Sequence, residues 1–365
     1  MLNSKEIIVL IIKKMKRYFF IIIWTVLSFS KVHWFIKYLI RRSSIEISDV
    51  EIVDVVFVMP PVNQPGWILE AICREIGVRL AGCTVSYCHI GERLPRARYY
   101  FFSHYMYYLQ ALLTRYSMYL GQVYVYATHL EPLKHDINSN TLARILSNAD
   151  GVFCMNSNLK KMLNELGVPS DKLCVVVGAA DCKQFQPHNR NAWGKVGFSA
   201  AYYWRKSPDM VLEIVRMMPK RLFILIGKGW ENYPYFAKLM AEPNFNYINT
   251  EYKQYAKHYN TMSVFVSVSQ LEGGPIPLIE AMMSNVVPVV SRTGFAPDII
   301  QHGENGFLAD VNASAAEYCE LIEKAFELQS NIRESVLSCD WNFFVIRIKN
   351  FMGISNDNNI EKSKA

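Results

Sequence analysis

The sequence predicts an α/β protein built from two doubly wound units in tandem. Short, continuously apolar runs such as D-V-V-F-V-M-P (54–60) and R-L-F-I-L-I-G (221–227) alternate with helical stretches. Strands apolar on both faces belong in parallel sheets covered on both sides. The chain has 365 residues, 51% of them hydrophobic, which is enough material for two cores. A polar run, Q-P-H-N-R-N (186–191), interrupts the alternation near the middle. These features predict an extension over 1–48, units over 49–188 and 189–340, a closing helix over 341–352 and a disordered tail over 353–365.

The elements follow in order. In the first unit the run at 54–60 is a strand, and Gly66 to Leu80 is helical. Y-Y-F-F-S-H (99–104) and V-Y-V-Y-A-T-H (123–129) are strands on either side of an aromatic helix. Thr141–Leu146 is helical, and G-V-F-C-M-N-S (151–157) is a strand. Ser157 is expected to cap a helix that stops at Gly167, and L-C-V-V-V-G (173–178) closes the unit. In the second unit K-V-G-F-S (195–199) is a strand, and Ser207-Pro208-Asp209 opens a helix to Met218. The strand at 221–227 ends in Gly227-Lys228-Gly229, and V-F-V-S-V-S (264–269) and V-V-P-V-V-S (286–291) flank one more helix. The stretch from Trp341 to Met352 is amphipathic. Two such units leave a cleft at the carboxyl ends of their sheets, where ligands bind in folds of this kind.

Charge is concentrated at one end. Residues 1–42 hold nine Lys/Arg and a single acid, Glu6, a net +8 that exceeds the +7 of the whole chain. The folded body is therefore close to neutral, which gives no support to nucleic-acid binding. The same segment carries apolar runs (7–12 and 18–30) and the aromatics Trp24, Trp34, Phe35 and Tyr38. Its longest apolar run is shorter than the roughly twenty residues a spanning helix needs. No small-residue cleavage site follows Ser30, as a signal peptide would require. The favoured reading is one or two helices lying in an anionic membrane surface. A core-packing helical extension and a crossing by residues 18–36 are the alternatives.

Eight cysteines (73, 83, 88, 154, 174, 182, 319, 339) show neither C-x-x-C nor paired zinc spacing, and they read as buried thiols in a reducing compartment. His129 and His135 lack further ligands nearby and no D-x-D is present, so no metal is expected.

The most informative stretch is V-F-V-S-V-S-Q-L-E-G-G-P-I-P-L-I-E-A-M-M (264–283). A strand ends, a Gly/Pro loop follows, and a helix opens near Pro277. Glu272 sits at the strand exit and Glu280 one turn into the helix. Amides at a helix start are unpaired and face a favourable dipole, and Gly273 and Gly274 let backbone approach a ligand closely. This is an anion site with a carboxylate on either side, suited to a phosphate-bearing sugar. Spacing alone also allows a glycosidase-like acid/nucleophile pair, although the phosphate-type helix start between the acids favours a nucleotide.

The run resembles the E-x7-E signature of the GT-B-fold retaining nucleotide-sugar glycosyltransferases (glycosyl transferases group 1, family 4). Downstream, V-V-P-V-V-S and T-G-F-A-P-D-I-I-Q-H-G-E-N-G-F-L (293–308) continue the likeness, with Gly294, Asp298, Gly303, Asn305 and Gly306 in register. A-A-D-C-K-Q-F-Q-P (179–187) resembles the family's inter-domain motif through Asp181, Phe185 and Pro187. Departures are Asn285 for a helix-ending glycine, Asp298 for Glu, Ala179 for Gly and Phe198 where the family has Arg after V-G. Asn is the next best residue for a left-handed cap.

The resemblance implies a GT-B fold, two Rossmann-like domains facing a cleft, the first binding acceptor and the second nucleotide-sugar. It assigns Glu272 to the donor sugar's hydroxyls and Glu280 to the ribose. Arg205, Lys206, Gly227, Gly273, Gly274, Ile276 and Pro277 fall on the donor side. His129 contacts the transferred sugar, and Gly66 and His104 lie on the acceptor side. Retention of configuration without metal or other cofactor is implied, by a front-face mechanism. With the basic extension, the expectation is a hexosyltransferase peripheral on the inner, cytoplasmic face of the plasma membrane. It would move a sugar from a nucleotide-sugar to a lipid-linked glycan acceptor in O-antigen, capsule or lipopolysaccharide assembly. The alternatives are a soluble transferase making a small glycoside or storage glucan, and a non-catalytic subunit that binds nucleotide or glycan.

Overall fold

The structure is a computed structural model that describes residues 52–62, 68–114, 121–130 and 137–354. The expected extension (1–48), Gly66 and all but the first two residues of the tail lie outside the described residues. The chain forms two compact units. One takes the described residues up to Val176 and from Arg347 onward, and the other is Val177–Ile346.

The first unit is a six-stranded parallel sheet. Its strands are β1 (Val53–Met59), β2 (Val85–His89), β3 (Ala97–Phe102), β4 (Gln122–Ala127), β5 (Gly151–Cys154) and β6 (Leu173–Val175), in spatial order β2-β1-β3-β4-β5-β6. Its helices are α1 (Ile68–Gly77), α2 (Tyr105–Thr114), α3 (Ser139–Leu146) and α4 (Ser157–Glu165). One face carries an aromatic stripe across neighbouring strands: Phe101 meets Phe57 at 5.3 Å, Phe153 at 5.6 Å and Tyr126 at 6.1 Å between ring centroids. Burying each ring stabilises the fold by roughly 1.5–3 kcal/mol.

Two features differ from the sequence expectation. The cap of α4 is Asn156, whose Oδ1 accepts from the Leu159 amide at 2.7 Å, while Ser157 is already helical. The edge strand β2 was not expected. Four of its five residues are only partly buried, so it lacks the continuous apolar run that marks the interior strands.

The second unit repeats the architecture with β7 (Lys195–Ser199), β8 (Phe223–Ile226), β9 (Phe245–Ile248), β10 (Met262–Ser267), β11 (Val287–Ser291) and β12 (Phe307–Ala309). The order is β12-β11-β10-β7-β8-β9, all parallel. The second edge strand, β9, was missed for the same reason as β2: three of its four residues are not buried. From β7 the chain steps out to β9, then returns to β10 on the other side of β7. That reversal is the topological switch point. Right-handed crossovers put α5 (Pro208–Met217) and α6 (Phe236–Met240) on one face, and α7 (Tyr255–Tyr259) and α8 (Ile276–Met283) on the other. The short α9 (Ala296–Ile299) leads to β12. Then α10 (Ala315–Glu327), started by a Ser314/Glu317 capping box, packs beside α5. The last helix, α11 (Trp341–Met352), begins in this unit, and its second half, from Arg347, belongs to the first. There Phe351 lies edge-on to Phe153 at 5.2 Å. Gly151 makes this contact possible, because a Cβ there would stand 2.5 Å from the Phe351 ring.

The start of α5 also departs from expectation. Ser207 has φ 48° and caps with no side-chain bond; its carbonyl instead accepts from the Met210 and Val211 amides at 3.0 and 3.3 Å. The polar run 186–191 is tied into the second unit, with His188 ring nitrogens 2.8 Å from the carbonyls of Ser284 and Met262.

Asn285, just past α8, has φ 64°, the left-handed conformation that asparagine tolerates best after glycine. Its side chain does more than permit that turn. Oδ1 accepts from Arg190 at 2.9 Å and from the Ile332 amide at 3.0 Å. We therefore expect Asn285→Gly to lower the unfolding free energy by roughly 1–2 kcal/mol, although glycine fits the backbone better. Urea titration measures this, and an unchanged or raised midpoint would show the side-chain bonds to be immaterial.

Candidate functional site

The predicted anion loop lies at the carboxyl end of the second sheet, beside the switch point. β10 ends at Ser267, and residues 268–275 lead into α8. Ser291 Oγ, on neighbouring β11, donates to Ser269 O at 2.6 Å and pins the loop's first turn. Gly294 (φ 56°) backs the next: a Cβ there would lie 2.9 Å from Gly273 O and 3.1 Å from Glu272 Cβ. Pro275 precedes α8 and Pro277 lies in its first turn, and no side-chain cap bond closes the helix start. Pro277 has no amide to satisfy and the Leu278 amide donates to Pro275 O at 2.9 Å, which leaves the Ile276 amide for an external acceptor. Gly273 and Gly274 are not among the positive-φ glycines, so their part here is slimness rather than unusual backbone.

Glu272 is 7% exposed, and its oxygens are taken by two cations. Arg205 Nη1 stands 3.0 Å from Oε2, and Lys206 Nζ binds Oε1. Arg205 Nη1 also donates to Leu271 O at 2.7 Å. Burial alone would raise the Glu272 pKa, but Lys206 and Arg205 outweigh it and hold the carboxyl below its ordinary range. Both cations come from one 3₁₀ turn, Trp204–Lys206, after β7. The loops on the two sides of the switch point are thus joined by charge. Phe198, where the resemblance expects an arginine, is 3% exposed and stacks on Phe223 at 6.0 Å. That position is core, and Arg205 and Lys206 are the cations beside the loop.

Glu280 is 2% exposed on the inner side of α8. Tyr252 donates to its Oε1 at 2.7 Å and Tyr259 to its Oε2 at 3.0 Å. Burial raises its pKa to about 7, with the two hydroxyls offsetting part of the rise. The tyrosines were not anticipated. Tyr252, Tyr255 and Tyr259 recur at i, i+3 and i+7, a helical stripe that the sequence does contain. On the same side, Gly227 has φ 156°, and a Cβ there would come within 1.9 Å of Ala200 O. Only glycine allows β8 to exit so close to the loop after β7.

The histidines lie in the first unit. His104 follows β3, and its Nδ1 accepts from the Met106 amide at 3.2 Å, while its ring stacks on Tyr105 at 4.4 Å. His129 follows β4, with Nδ1 3.1 Å from Thr128 Oγ1. Among the described residues one His/Cys/Asp/Glu group has ligand-like spacing: Asp181, Cys182 and Asp340. Its carboxylates serve a turn. Asp181 Oδ1 accepts from the Lys183 and Gln184 amides at 2.7 and 3.2 Å, and Asp340 Oδ2 from the Cys182 amide at 3.3 Å. No helix among the described residues is long and apolar enough to cross a membrane.

Glu280 sets a pH dependence. Its pKa in the folded protein stands above the ordinary 4.5, so the folded state keeps a proton that the unfolded chain has lost. The stability it confers is complete below the ordinary carboxylate range and declines as pH rises through about 7. Between pH 5 and 8 the wild-type protein should lose roughly 3 kcal/mol more unfolding free energy than Glu280→Gln. Parallel pH profiles for the two proteins would refute the buried proton.

Residues 183–336 match the family described as glycosyl transferases group 1. No curated protein matches the chain. Among solved structures, it is similar to an apo lipopolysaccharide outer core galactosyltransferase, WaaB, with TM-score 0.63 and 13% identity over 82% of this chain and 99% of that one. It is also similar to HepE of Anabaena, solved with UDP-glucose (TM-score 0.65, 14% identity, covering 82% and 99%). A third is sucrose-phosphate synthase of Thermosynechococcus elongatus (TM-score 0.67, 14% identity, covering 81% and 98%). At these identities the likeness shows the fold, the two parallel-sheet α/β domains of GT-B glycosyltransferases. The Glu272–Glu280 loop lies inside the segment that matches glycosyl transferases group 1.

Proposed function

We propose that the protein is a retaining, metal-independent glycosyltransferase that moves a sugar from a nucleotide-sugar to a lipid-linked glycan in surface polysaccharide assembly. The observation that carries the transferase reading is the buried Glu272 held by Lys206 and Arg205 at an uncapped helix start, eight residues before a second buried carboxyl, Glu280. The diphosphate takes the α8 amides and shares the two cations. Glu272 then turns an oxygen to the sugar hydroxyls, and Glu280 accepts from the ribose diol. As the anomeric C–O bond to the diphosphate breaks, the negative charge on the leaving oxygen meets groups already oriented toward it. The acceptor oxygen bonds to the anomeric carbon from the same face, and its proton passes to the departing phosphate oxygen. Arg205 and Lys206 supply the positive charge at that oxygen. His129 is assigned to the transferred sugar, and His104 and Gly66 to the acceptor side.

HepE, whose structure was solved with UDP-glucose, supports a nucleotide-sugar donor. The galactosyltransferase of the lipopolysaccharide outer core supports a surface-glycan acceptor. The sucrose-phosphate synthase neighbour favours a second reading, transfer to a small soluble acceptor. The basic, aromatic segment 1–42 supports the first, with the enzyme held at the inner membrane face.

Glu272→Gln should cut transfer at least a hundredfold, about 3 kcal/mol of transition-state stabilisation, with the fold intact by thermal unfolding. Glu280→Ala should mainly raise KM for the donor. Unchanged transfer in the first variant, or a pure kcat loss in the second, would sink these roles. Removing residues 1–42 should abolish sedimentation with anionic vesicles and reduce activity on a lipid-linked acceptor, while sparing donor hydrolysis. Equal activity of the full chain on a water-soluble acceptor would favour the second reading.

A further inference from the structure

The second unit holds a hollow that the donor reading does not use. It has a volume of about 720 Å³ and opens on the α5–α10 face, the side of the sheet away from α8. Its walls are the 3₁₀ turn after β7, the start of α5, the loop after β10 and the loop between β12 and α10. At its rim stands Trp204, 68% exposed. The two residues after it, Arg205 and Lys206, are committed to Glu272, whereas the indole lines the hollow.

An indole left in water forgoes a large part of the free energy its burial would give. No packing demand explains it, since Trp204 is not part of the buried core. Around it the hollow offers Asp209, Glu213, Gln270 and Asn312, two carboxylates and two amides, all on exposed residues. Carboxylates only accept hydrogen bonds, and amides both accept and donate. A flat aromatic platform ringed by such groups matches a pyranose, which presents an apolar C–H face and a rim of hydroxyls that donate and accept. The charge balance argues against an anionic ligand. Arg205, the one cation in the lining, already serves Leu271 and Glu272, which leaves two acids. The amides argue for hydroxyls over a cation, and Asp209 already accepts from the Tyr233 hydroxyl at 2.6 Å.

We propose that this hollow is a glycan-binding subsite for a neutral sugar residue, with Trp204 as its stacking platform, separate from the Glu272–Glu280 site. The two places share backbone. The Gln270 backbone N–H donates to Arg205 O at 2.8 Å, so the hollow's wall continues directly into the loop that carries Glu272. A sugar seated on Trp204 therefore braces that loop and the Arg205 turn from behind.

The test is saturation-transfer NMR on the full chain with maltotriose, N-acetylchitotriose and galactosyl-lactose, each with and without excess UDP. At least one trisaccharide should bind, with a Kd on the order of millimolar, and its signal should persist under UDP. Trp204→Ala should weaken that binding at least tenfold while leaving the thermal midpoint unchanged, and Trp204→Phe, which keeps a platform, should restore part of it. Failure of all three sugars to bind would overturn the proposal, as would binding indifferent to Trp204→Ala. Displacement by UDP would place the sugar at the Glu272–Glu280 site instead. Trp204-dependent sedimentation with anionic vesicles in the absence of sugar binding would make the indole a membrane contact and also overturn it.

Discussion

The second unit depends on one electrostatic constraint, the charge of Glu272. A carboxylate almost removed from water is tolerated only when paired and hydrogen-bonded. Here the compensation comes from a different strand's loop. Lys206 and Arg205 leave β7, Glu272 leaves β10, and the two strands lie side by side at the switch point. The ion pairs therefore align the loops that shape the crevice. Removing either partner would leave a buried charge uncompensated, a larger cost than the pair's own net attraction.

The second carboxyl is managed in the opposite way. Glu280 is met by two tyrosine hydroxyls, and no ion pair among the described residues reaches it, so burial wins and its proton is held to near neutrality. Two carboxyls eight residues apart thus sit in contrasting environments, one ionised by neighbours and one close to its midpoint. Such a split is also the mark of an acid/base pair. The surroundings argue otherwise. The oxygens of Glu272 are engaged by cations, those of Glu280 by phenols, and the helix start between them keeps the Ile276 amide and the positive pole, which suit phosphate.

Much of this was legible in the sequence because interior parallel strands must be apolar on both sides. The runs at 54–60, 123–129 and 264–269 contain most of β1, β4 and β10, which lie inside their sheets, and announce themselves. The edge strands β2 and β9 have one flank open and a mixed composition, so no run marks them. The Glu272 loop was readable because acid, Gly and Pro in that order, between a strand and a helix, have few other uses. The Tyr252 and Tyr259 clamp was not, since a buried phenol and a buried carboxyl become partners only through a tertiary contact. Phe198 shows the converse. An apolar residue in a place expected to be cationic reads as a loss, yet the structure puts its ring in the core beside Phe223 and finds the charge seven residues later in Arg205.

The helix between the two carboxyls is finished differently at its two ends. At the carboxyl end of α8, Arg333 donates to Met283 O and to Phe185 O, and Arg190 Nη1 donates to Asn285 O at 2.8 Å. Two guanidiniums thus meet the carbonyls and the negative pole of the dipole. At the amino end there is no side-chain cap, one proline in the first turn and a Leu278 amide turned to Pro275 O, so the positive pole and the Ile276 amide remain available. A helix stabilised for its own sake would gain from an amino-terminal cap worth about 1 kcal/mol. Leaving that end open while closing the other with two arginines makes sense where a negatively charged ligand completes the helix. The same reasoning assigns Asn285 its place. A glycine would end the helix equally well, but only a side chain with an acceptor can also hold Arg190 and the Ile332 amide against the carboxyl end.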